Sequence, residues 1–403
     1  MSGFPGNLSD SQKEKLRKFK ENVSDVLKPE HDDVLLLKFL RARKFDLKRT
    51  EKMLRMDIKW REENKVSTIL DWYKIPEVFE KYWCGGVCGL DKEGHAIYIS
   101  PVGNFDPKGV LFSAKASDIL KTYIHSIEYQ FRSHKWFSEQ SQRGLKHTEG
   151  SLMIFDMENL GVHHLWKPAI DMFIKTAVIA EQHYPELIYR LFIIRAPKIF
   201  PVTYSLVKPF LREDTRKKIQ VLGSNWKEVL LKQIDPDQLP VYWGGTKTDP
   251  DGNEMCTSLI RVGGKIPKSF YLKDREPPHT LTTHEVSRGG VIEFKYEVKN
   301  ANSVMRYEFQ TDCSDIKFGF DLVDAKGKKT AILKLEKYNS HMVPENGEIM
   351  IAEPGTYVAR FDNSHSWTKS KKLSYWLELL EPSDVEPEFQ EMVEGANSMN
   401  LND

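Results

Sequence analysis

The sequence predicts an α/β protein that starts with a helical bundle and ends with a β-sandwich. Three changes of pattern predict this order. Apolar residues recur at helical spacing from about residue 9 to 80, and short apolar runs alternate with helical stretches from about 90 to 245. From about 280, apolar and polar residues alternate with a period of two. We expect domains at 1–75, 76–275 and 276–383, followed by an acidic tail at 384–403.

The first region reads as a small bundle of amphipathic helices. Ser9 or Asp10 is placed to cap the helix SQKEKLRKFKENVSDVL, in which apolar residues fall on one face. The stretch HDDVLLLKFLRARKF follows, and Asp46 then caps LKRTEKMLRMDIKWREE. These lengths are ordinary for helices that bury one face against each other.

The second region predicts a mainly parallel sheet with crossover helices, because apolar runs are separated by longer helical stretches. The candidate strands are HAIYIS (95–100), SLMIFD (151–156), LFIIRA (191–196) and the short IQVLG (219–223). The candidate helices are 117–138, 163–183 and 224–232.

The third region predicts one antiparallel β-sandwich of about 100 residues. Its strands are VIEFKYEV, MRYEFQ, DIKFGFDL, TYVARFD and KLSYWLELL, separated by Gly, Asp, Asn and Pro turns.

Composition excludes several classes of protein. A formal net charge of +1 gives no reason to expect a nucleic-acid partner. The sequence lacks an apolar leader and a run of about 18 apolar residues, so we expect a cytoplasmic protein. Four cysteines in 403 residues are too few for a disulfide framework, and their spacing favours free thiols over a metal site: Cys84, Cys88, Cys256 and Cys313.

Signals for catalysis are sparse. Nucleophile-elbow, zinc-protease, phosphate-loop and dinucleotide motifs are absent, so we predict no catalytic residue and no cofactor. Asp156 and Glu158 follow a predicted strand, where catalytic acids occur, although a cap or loop hydrogen bond explains them as well. His163 and His164 begin a helix without a carboxylate at metal-ligand spacing, which favours an ordinary first turn.

The stretch from Ile199 to Leu211 is unusual for a surface helix. Its apolar side chains span roughly 200° of the helix circumference, whereas a surface helix needs a stripe of about 100°. Pro201 suits the first turn of a helix, but Pro209 removes a backbone hydrogen bond and weakens the last turn. The stretch is either a helix buried on both sides or a lid with one face on an apolar cavity.

Four cations lie within the seven residues KFLRARK, which overlap the segment FLRARKF: Lys38, Arg41, Arg43 and Lys44. Such a cluster is either a solvated helix face or a contact with anionic lipid headgroups, where each cation contributes roughly 1 kcal/mol.

Several motifs together resemble the Sec14-like, or CRAL-TRIO, lipid-binding family. They are FLRARKFD followed by EKMLR, then HAIYIS, YPE, APKIFPVTYSLVKPFL, LGSNWKEVLLKQI and LPVYWGG. The resemblance runs from about residue 10 to 275. The final region, with PGTYVARFDNSHSW, resembles a GOLD domain. That combination resembles the Sec14-like group that contains the tocopherol-associated protein, also called supernatant protein factor.

The resemblance implies one apolar ligand held between the sheet and a mobile gate, which matches 199–211. The gate residues expected at the ligand are Phe200, Val202, Leu206, Val207, Phe210 and Leu211. The pocket floor is expected at Tyr98, Ser100, Met153 and Phe155. Phosphatidylinositol-binding members meet the headgroup with residues that match Glu186, Thr215 and Lys218, but an arginine of that set is replaced here by Leu187.

We therefore expect a non-enzymatic cytoplasmic carrier that exchanges a hydrophobic small molecule at membrane surfaces. Leu187 favours a tocopherol-, isoprenoid- or retinoid-like ligand over phosphatidylinositol. The alternative is a lipid-regulated adaptor that binds a protein partner through the GOLD-like β-sandwich.

Overall fold

The fold was derived from a computed structural model. It describes residues 3–132, 140, 148–272, 281–324, 326–342, 344–366 and 369–382. The acidic tail expected at 384–403 lies outside the described residues.

The chain begins with capped helices that bury one face against each other. The helices of this region are α1 (Asp10–Asn22), α2 (Asp33–Ala42), α3 (Leu47–Glu63), α4 (Ile69–Trp72) and α5 (Glu77–Tyr82). The Ser9 side chain accepts a bond from the backbone of Gln12, and Asp46 caps α3, as the sequence predicts. Leu16, Phe19 and other apolar side chains of α1–α3 form the core of this bundle.

The central domain is a five-stranded sheet in the order β1-β2-β3-β4-β5. Its strands are β1 (Gly86–Leu90), β2 (Ala96–Ser100), β3 (Ser151–Asp156), β4 (Ile188–Ile194) and β5 (Ile219–Val221). Strands β2 to β5 are parallel, and β1 is an antiparallel edge strand that the sequence reading missed.

Helices cover both faces of this sheet. They are α6 (Pro107–Ser113), α7 (Ala116–Arg132), α8 (Lys167–His183), α9 (Phe200–Val207), α10 (Glu213–Arg216) and α11 (Trp226–Gln233). The predicted helix 117–138 is confirmed as far as Arg132, and residues 133–138 lie outside the described part.

Alternate residues of each strand enter two separate apolar clusters, as strand geometry requires. On β3, Leu152 and Ile154 point to one cluster while Met153 points to the other. We call the first side the closed face; α11 and Trp243 cover it. The second side, the gate face, is covered by Ile199, Phe200, Val202 and Tyr204 of the gate segment, which we define as residues 199–211.

The C-terminal region is built from two antiparallel four-stranded sheets that share one aromatic core. Their orders are β10-β9-β12-β7 and β11-β8-β13-β6. The strands are β6 (Thr282–Val286), β7 (Val291–Val298), β8 (Ser303–Thr311), β9 (Ile316–Val323), β10 (Lys329–Tyr338), β11 (Glu345–Ile351), β12 (Gly355–Asp362) and β13 (Lys371–Leu380). The predicted β-sandwich is confirmed, with β6, β10 and β11 added.

The β-sandwich packs directly on the central domain. Val304 and Leu380 are buried in the same cluster as the gate face. The Arg306 guanidinium donates to the Leu165 carbonyl oxygen, and Lys108 Nζ donates to Asn346 Oδ1 at 2.7 Å. The sandwich thus contacts the turn Val162–Leu165, which lies just before α8, the helix on which the gate segment rests.

Candidate functional site

The gate segment is a short helix that changes geometry at its second proline. Helix α9 starts with Pro201 in its first turn, where the missing N–H leaves no bond unmade. At Lys208–Phe210 the backbone tightens to a 3₁₀ turn, and Leu211 is extended. The α-helical geometry thus ends before Pro209, since proline cannot continue the ladder of helical hydrogen bonds.

The structure brings most of the expected ligand-contacting residues to the gate face. On the sheet these are Tyr98, Met153 and Phe155, and on the gate segment they are Phe200, Val202, Leu206 and Leu211. The parallel register places Tyr98 beside Met153 and Ser100 beside Phe155, which explains their common side. Their contact with a ligand stays a prediction.

Three expected residues lie outside that cluster. Ser100 and Val207 are buried but do not belong to it. Phe210 is 44% exposed, because the 3₁₀ turn rotates it toward solvent. This exposure does not support a place for Phe210 in the pocket lining, although Phe210 remains part of the gate segment.

All three expected headgroup residues line one open pocket at the C-terminal end of the gate segment. The pocket has a volume of about 40 Å³, which holds a few water molecules rather than a lipid. Its wall consists of Ala42, Ala180, Glu181, Tyr184, Glu186, Leu187, Ile188, Arg212, Asp214, Thr215 and Lys218. Three parts of the chain thus meet there: α2, the end of α8 with the following turn, and the residues after the gate.

Two of the headgroup residues are paired with each other. Lys218 Nζ lies 2.8 Å from Glu186 Oε2 and donates to the Ile188 carbonyl oxygen at 2.8 Å. Glu186 has a φ of 62°, a left-handed conformation that costs energy for a residue with a side chain. Leu187 is buried and adds no charge to the pocket.

A second ion pair in this pocket was not predicted. Arg212 pairs with Glu181, and its guanidinium also donates to the Ala42 carbonyl oxygen at 3.2 Å. The sequence could not show which acid meets Arg212. Glu181 lies 31 positions earlier, so only the fold joins the two.

The basic cluster after position 37 is largely used inside the molecule. Arg41 forms a buried pair with Glu149, and burial lowers the pKa of Lys38. Lys44 is exposed, and Arg43 lies beside the pocket with its Nη1 on the Ala42 carbonyl oxygen at 3.0 Å. The cluster is therefore neither wholly solvated nor wholly free to meet lipid.

The acids that follow β3 hold the chain in place. Asp156 accepts bonds from Arg195 Nε and Trp243 Nε1, both at 2.9 Å. Glu158 accepts a bond from the Tyr242 hydroxyl at 2.7 Å. These bonds explain both carboxylates without a catalytic role.

His164 is likewise explained by packing. Its Nε2 lies 3.0 Å from the Phe105 carbonyl oxygen, and burial lowers its pKa to about 4, which keeps the ring neutral. None of the four cysteines takes part in a disulfide, and burial raises the pKa of Cys84 to about 12. Within the described ranges, no group of three or more His, Cys, Asp and Glu side chains is placed to hold a metal ion.

The helices of the described chain are each too short or too polar to cross a lipid bilayer.

Comparisons with known proteins agree with this geometry. The "CRAL/TRIO domain" profile matches residues 80–245, and the "CRAL/TRIO, N-terminal domain" profile matches residues 8–55. The chain is 28% identical over 439 residues to "Protein real-time" of Aedes aegypti, covering 99% of this chain and 66% of that one. It is 30% identical over 344 residues to a CRAL-TRIO domain-containing protein of Caenorhabditis elegans, covering 82% of this chain and 46% of the relative.

The chain thus spans two thirds or less of the length of these relatives. A solved structure, the crystal structure of Sfh5, matches with a TM-score of 0.50 and 19% identity. The match covers 62% of this chain and 91% of Sfh5, which supports the fold of the central domain. The two profiles lie in consecutive order and together cover more than half of the 403 residues. The chain belongs to the CRAL/TRIO family.

Proposed function

We propose that this protein carries one hydrophobic molecule between the sheet and the gate segment and exchanges it at membrane surfaces. The family is one of lipophilic ligand binding and transfer. The observation that carries the proposal is the gate face itself. An apolar cluster extends from the sheet floor at Met153 to the underside of the gate segment at Phe200 and Val202.

Loading requires the gate segment to move, because the apolar side chains of the gate face now pack against one another. A ligand that buries roughly 400 Å² of apolar surface gains on the order of 10 kcal/mol before the costs of binding. A site of that strength releases its cargo only by opening. Helix α9 forms part of the cover over the gate face. Because Pro209 has no N–H group, the end of this cover that would move has one backbone hydrogen bond fewer.

The exposed side of the gate segment is suited to membrane contact. Phe210 on the gate and Phe173 on α8 are both large, apolar and more than two fifths exposed. Exposed aromatic side chains of this kind enter the boundary between lipid headgroups and acyl chains. We assign Phe210 to this outer contact, in place of the pocket-lining role expected from the sequence.

The ligand class proposed is tocopherol-, isoprenoid- or retinoid-like, with phosphatidylinositol ranked below these. The headgroup pocket keeps Glu186, Thr215 and Lys218, but Lys218 is already neutralised by Glu186. Leu187 contributes no charge. We further propose a cytoplasmic location, the domain boundaries given above, a GOLD-type sandwich and kinship with the tocopherol-associated group.

Denaturing mass spectrometry of an organic extract tests the carrier function. Purified full-length protein is expected to release one hydrophobic molecule per chain, or to accept one from vesicles that contain α-tocopherol, squalene or retinaldehyde. Loaded protein is expected to return its cargo chemically unchanged after prolonged incubation. Repeated failure to recover or load any apolar molecule contradicts the proposal.

A ligand-regulated adaptor is the second candidate, and the docking of the sandwich favours it. Val304 and Leu380 belong to the same buried apolar cluster as the gate face, so a change of packing there can reach the sandwich through that cluster. Hydrogen exchange of β8 and β13 in loaded and stripped protein tests this. Altered protection in both strands supports the adaptor, and unchanged protection removes its structural basis.

A further inference from the structure

Arg212 stands at the junction of three elements, immediately after the gate segment ends. Its backbone N–H donates to Glu181 Oε1 at 3.4 Å, and its Nε pairs with Glu181 Oε2. Its Nη1 donates to the carbonyl oxygen of Ala42 at 3.2 Å. One side chain therefore joins the end of the gate to α8 and to α2.

Without Arg212 the Ala42 carbonyl oxygen keeps the bond from Arg43 Nη1 at 3.0 Å, whereas Glu181 loses its paired guanidinium. Ala42 is the last residue of α2, and the final carbonyl groups of a helix lack partners within it. The Glu181 carboxylate is only 10% exposed, so its charge is poorly solvated by water. Moving Arg212 away would leave a mostly buried carboxylate unpaired, which is the costly way to separate an ion pair.

A swing of the gate segment must act on this junction. Leu211 is extended and connects the 3₁₀ turn at Lys208–Phe210 directly to Arg212. Only Leu211 lies between the turn and Arg212. An outward movement of the gate segment therefore has no flexible linker to accommodate it. Opening at this end therefore strains or breaks the bonds of Arg212.

The local charge pattern shows what can replace Glu181. Arg43 Nη1 donates to the same Ala42 carbonyl oxygen at 3.0 Å. Burial, and then the charge of Arg212, lower the pKa of Arg43. Two guanidinium groups thus converge beside Glu181, while Lys218 is paired with Glu186. Guanidinium groups bind phosphate oxygens as readily as carboxylates, with paired N–H donors.

We propose that the Arg212–Glu181 pair is a latch that holds the gate segment shut, and that phosphate groups of an anionic membrane release it by exchanging with Glu181. This inference rests on the proposed carrier function for its purpose. Arg212 acts as a positioning residue: it fixes the gate while the apolar face contacts the cargo. The latch makes exchange depend on membrane charge.

Hydrogen exchange tests the latch without reference to any cargo. Arg212→Ala is expected to speed amide exchange across residues 200–211 by about tenfold, which corresponds to about 1.4 kcal/mol. Lys217→Ala is the matched control, because it removes a neighbouring cation whose ion-pair partner, Glu213, is exposed. Equal exchange in wild type and Arg212→Ala overturns the latch, and so does equal acceleration in the control.

Transfer kinetics test the release. Wild-type protein is expected to exchange cargo faster with vesicles of phosphatidylcholine plus 20–30% phosphatidylserine than with phosphatidylcholine alone. Arg212→Ala should transfer rapidly to both, and Arg212→Lys should fall between them, because an ammonium cannot make the same fork of bonds. Wild-type transfer that ignores vesicle charge overturns the release mechanism.

Two further measurements distinguish membrane phosphate from free phosphate, and the latch from the carrier function. Inorganic phosphate at millimolar concentration, added to phosphatidylcholine vesicles, is expected to leave transfer unchanged; acceleration equal to that of anionic vesicles overturns the membrane as trigger. The protein could fail to load cargo while Arg212→Ala still speeds amide exchange across residues 200–211. That result supports the latch and contradicts only the carrier function.

Discussion

The two faces of the central sheet both carry a buried apolar cluster but differ in how completely they are sealed. Among the residues that the structure describes, twelve of the fifteen buried residues on the closed face have 0% exposed surface, against two of eighteen on the gate face. The same strands supply both sets by simple alternation. The difference therefore comes from the covers, α11 with Trp243 on one side and the gate segment on the other.

This difference indicates which cover of the sheet can open. The closed face is sealed by an unbroken helix and by Trp243, which also bonds to Asp156. The gate face is sealed by two turns of helix, a proline-induced 3₁₀ turn and an ion pair. The gate cover therefore includes a partly exposed ion pair whose partners can be exchanged.

The largest expected effect compares equal truncations on the two faces. Ile154→Ala on the closed face should lower the free energy of unfolding by about 4 kcal/mol, because its surroundings cannot collapse into the space. Ile193→Ala on the gate face should cost about 2 kcal/mol, since the gate segment can settle inward. Urea unfolding of both variants measures the difference, and equal losses would show that the two covers are equally rigid.

The next effect separates the inner and outer sides of the gate. Val202→Asp places a carboxylate in the buried cluster and should reduce cargo loading at least about tenfold. Phe210→Asp lies on the exposed side and should leave loading intact while slowing transfer to vesicles several-fold. Extracted cargo and transfer rates measure the two effects, with circular dichroism to check folding. Loss of loading in Phe210→Asp would restore its pocket-lining role.

A smaller effect concerns the prolines. Pro209→Ala supplies an N–H group that can extend α9, so transfer should slow by a few-fold as the gate stiffens. Pro201→Ala is the control, because proline in the first turn removes no helical bond. Stopped-flow transfer of a fluorescent cargo distinguishes them, and faster transfer in Pro209→Ala would argue against a weakened helix end.

The smallest effect tests how closely the β-sandwich packs against the central domain around Glu348. Burial raises the pKa of Glu348 from about 4.5 to about 7, although Lys108 and Arg306 oppose this. Between these pH values the folded protein binds more protons than the unfolded chain, so this contribution to stability falls as pH rises from about 4.5 through 7. Glu348→Gln should flatten the pH dependence of the melting temperature over that range; an unchanged slope would mean that Glu348 is solvated.

Much of this architecture follows from pattern alone. The alternation in SLMIFD placed Met153 and Phe155 on one side of the sheet, which the gate-face cluster confirms. Pro209 predicted a distorted last turn, and the backbone at Lys208–Phe210 is a 3₁₀ turn. These features depend on neighbours in sequence or on a fixed period, so the sequence contains them directly.

The remaining features depend on distant partners. Arg212 meets Glu181 and Ala42 only because α8 and α2 converge after folding. Phe210 turned outward because the 3₁₀ turn changes the angle per residue, which a projection at 100° does not represent. Strand β1 contains two glycines and lacks the alternation that marked the other strands, so nothing local revealed it.

Photocrosslinking tests most directly whether cargo lies between the sheet and the gate segment. Protein loaded with a diazirine-bearing tocopherol analogue is irradiated, digested and mapped by mass spectrometry. We predict adducts on peptides that contain Met153, Phe155 and residues 199–211, with none on the closed-face helix 226–233. Adducts confined to the closed face or to the β-sandwich would contradict the account.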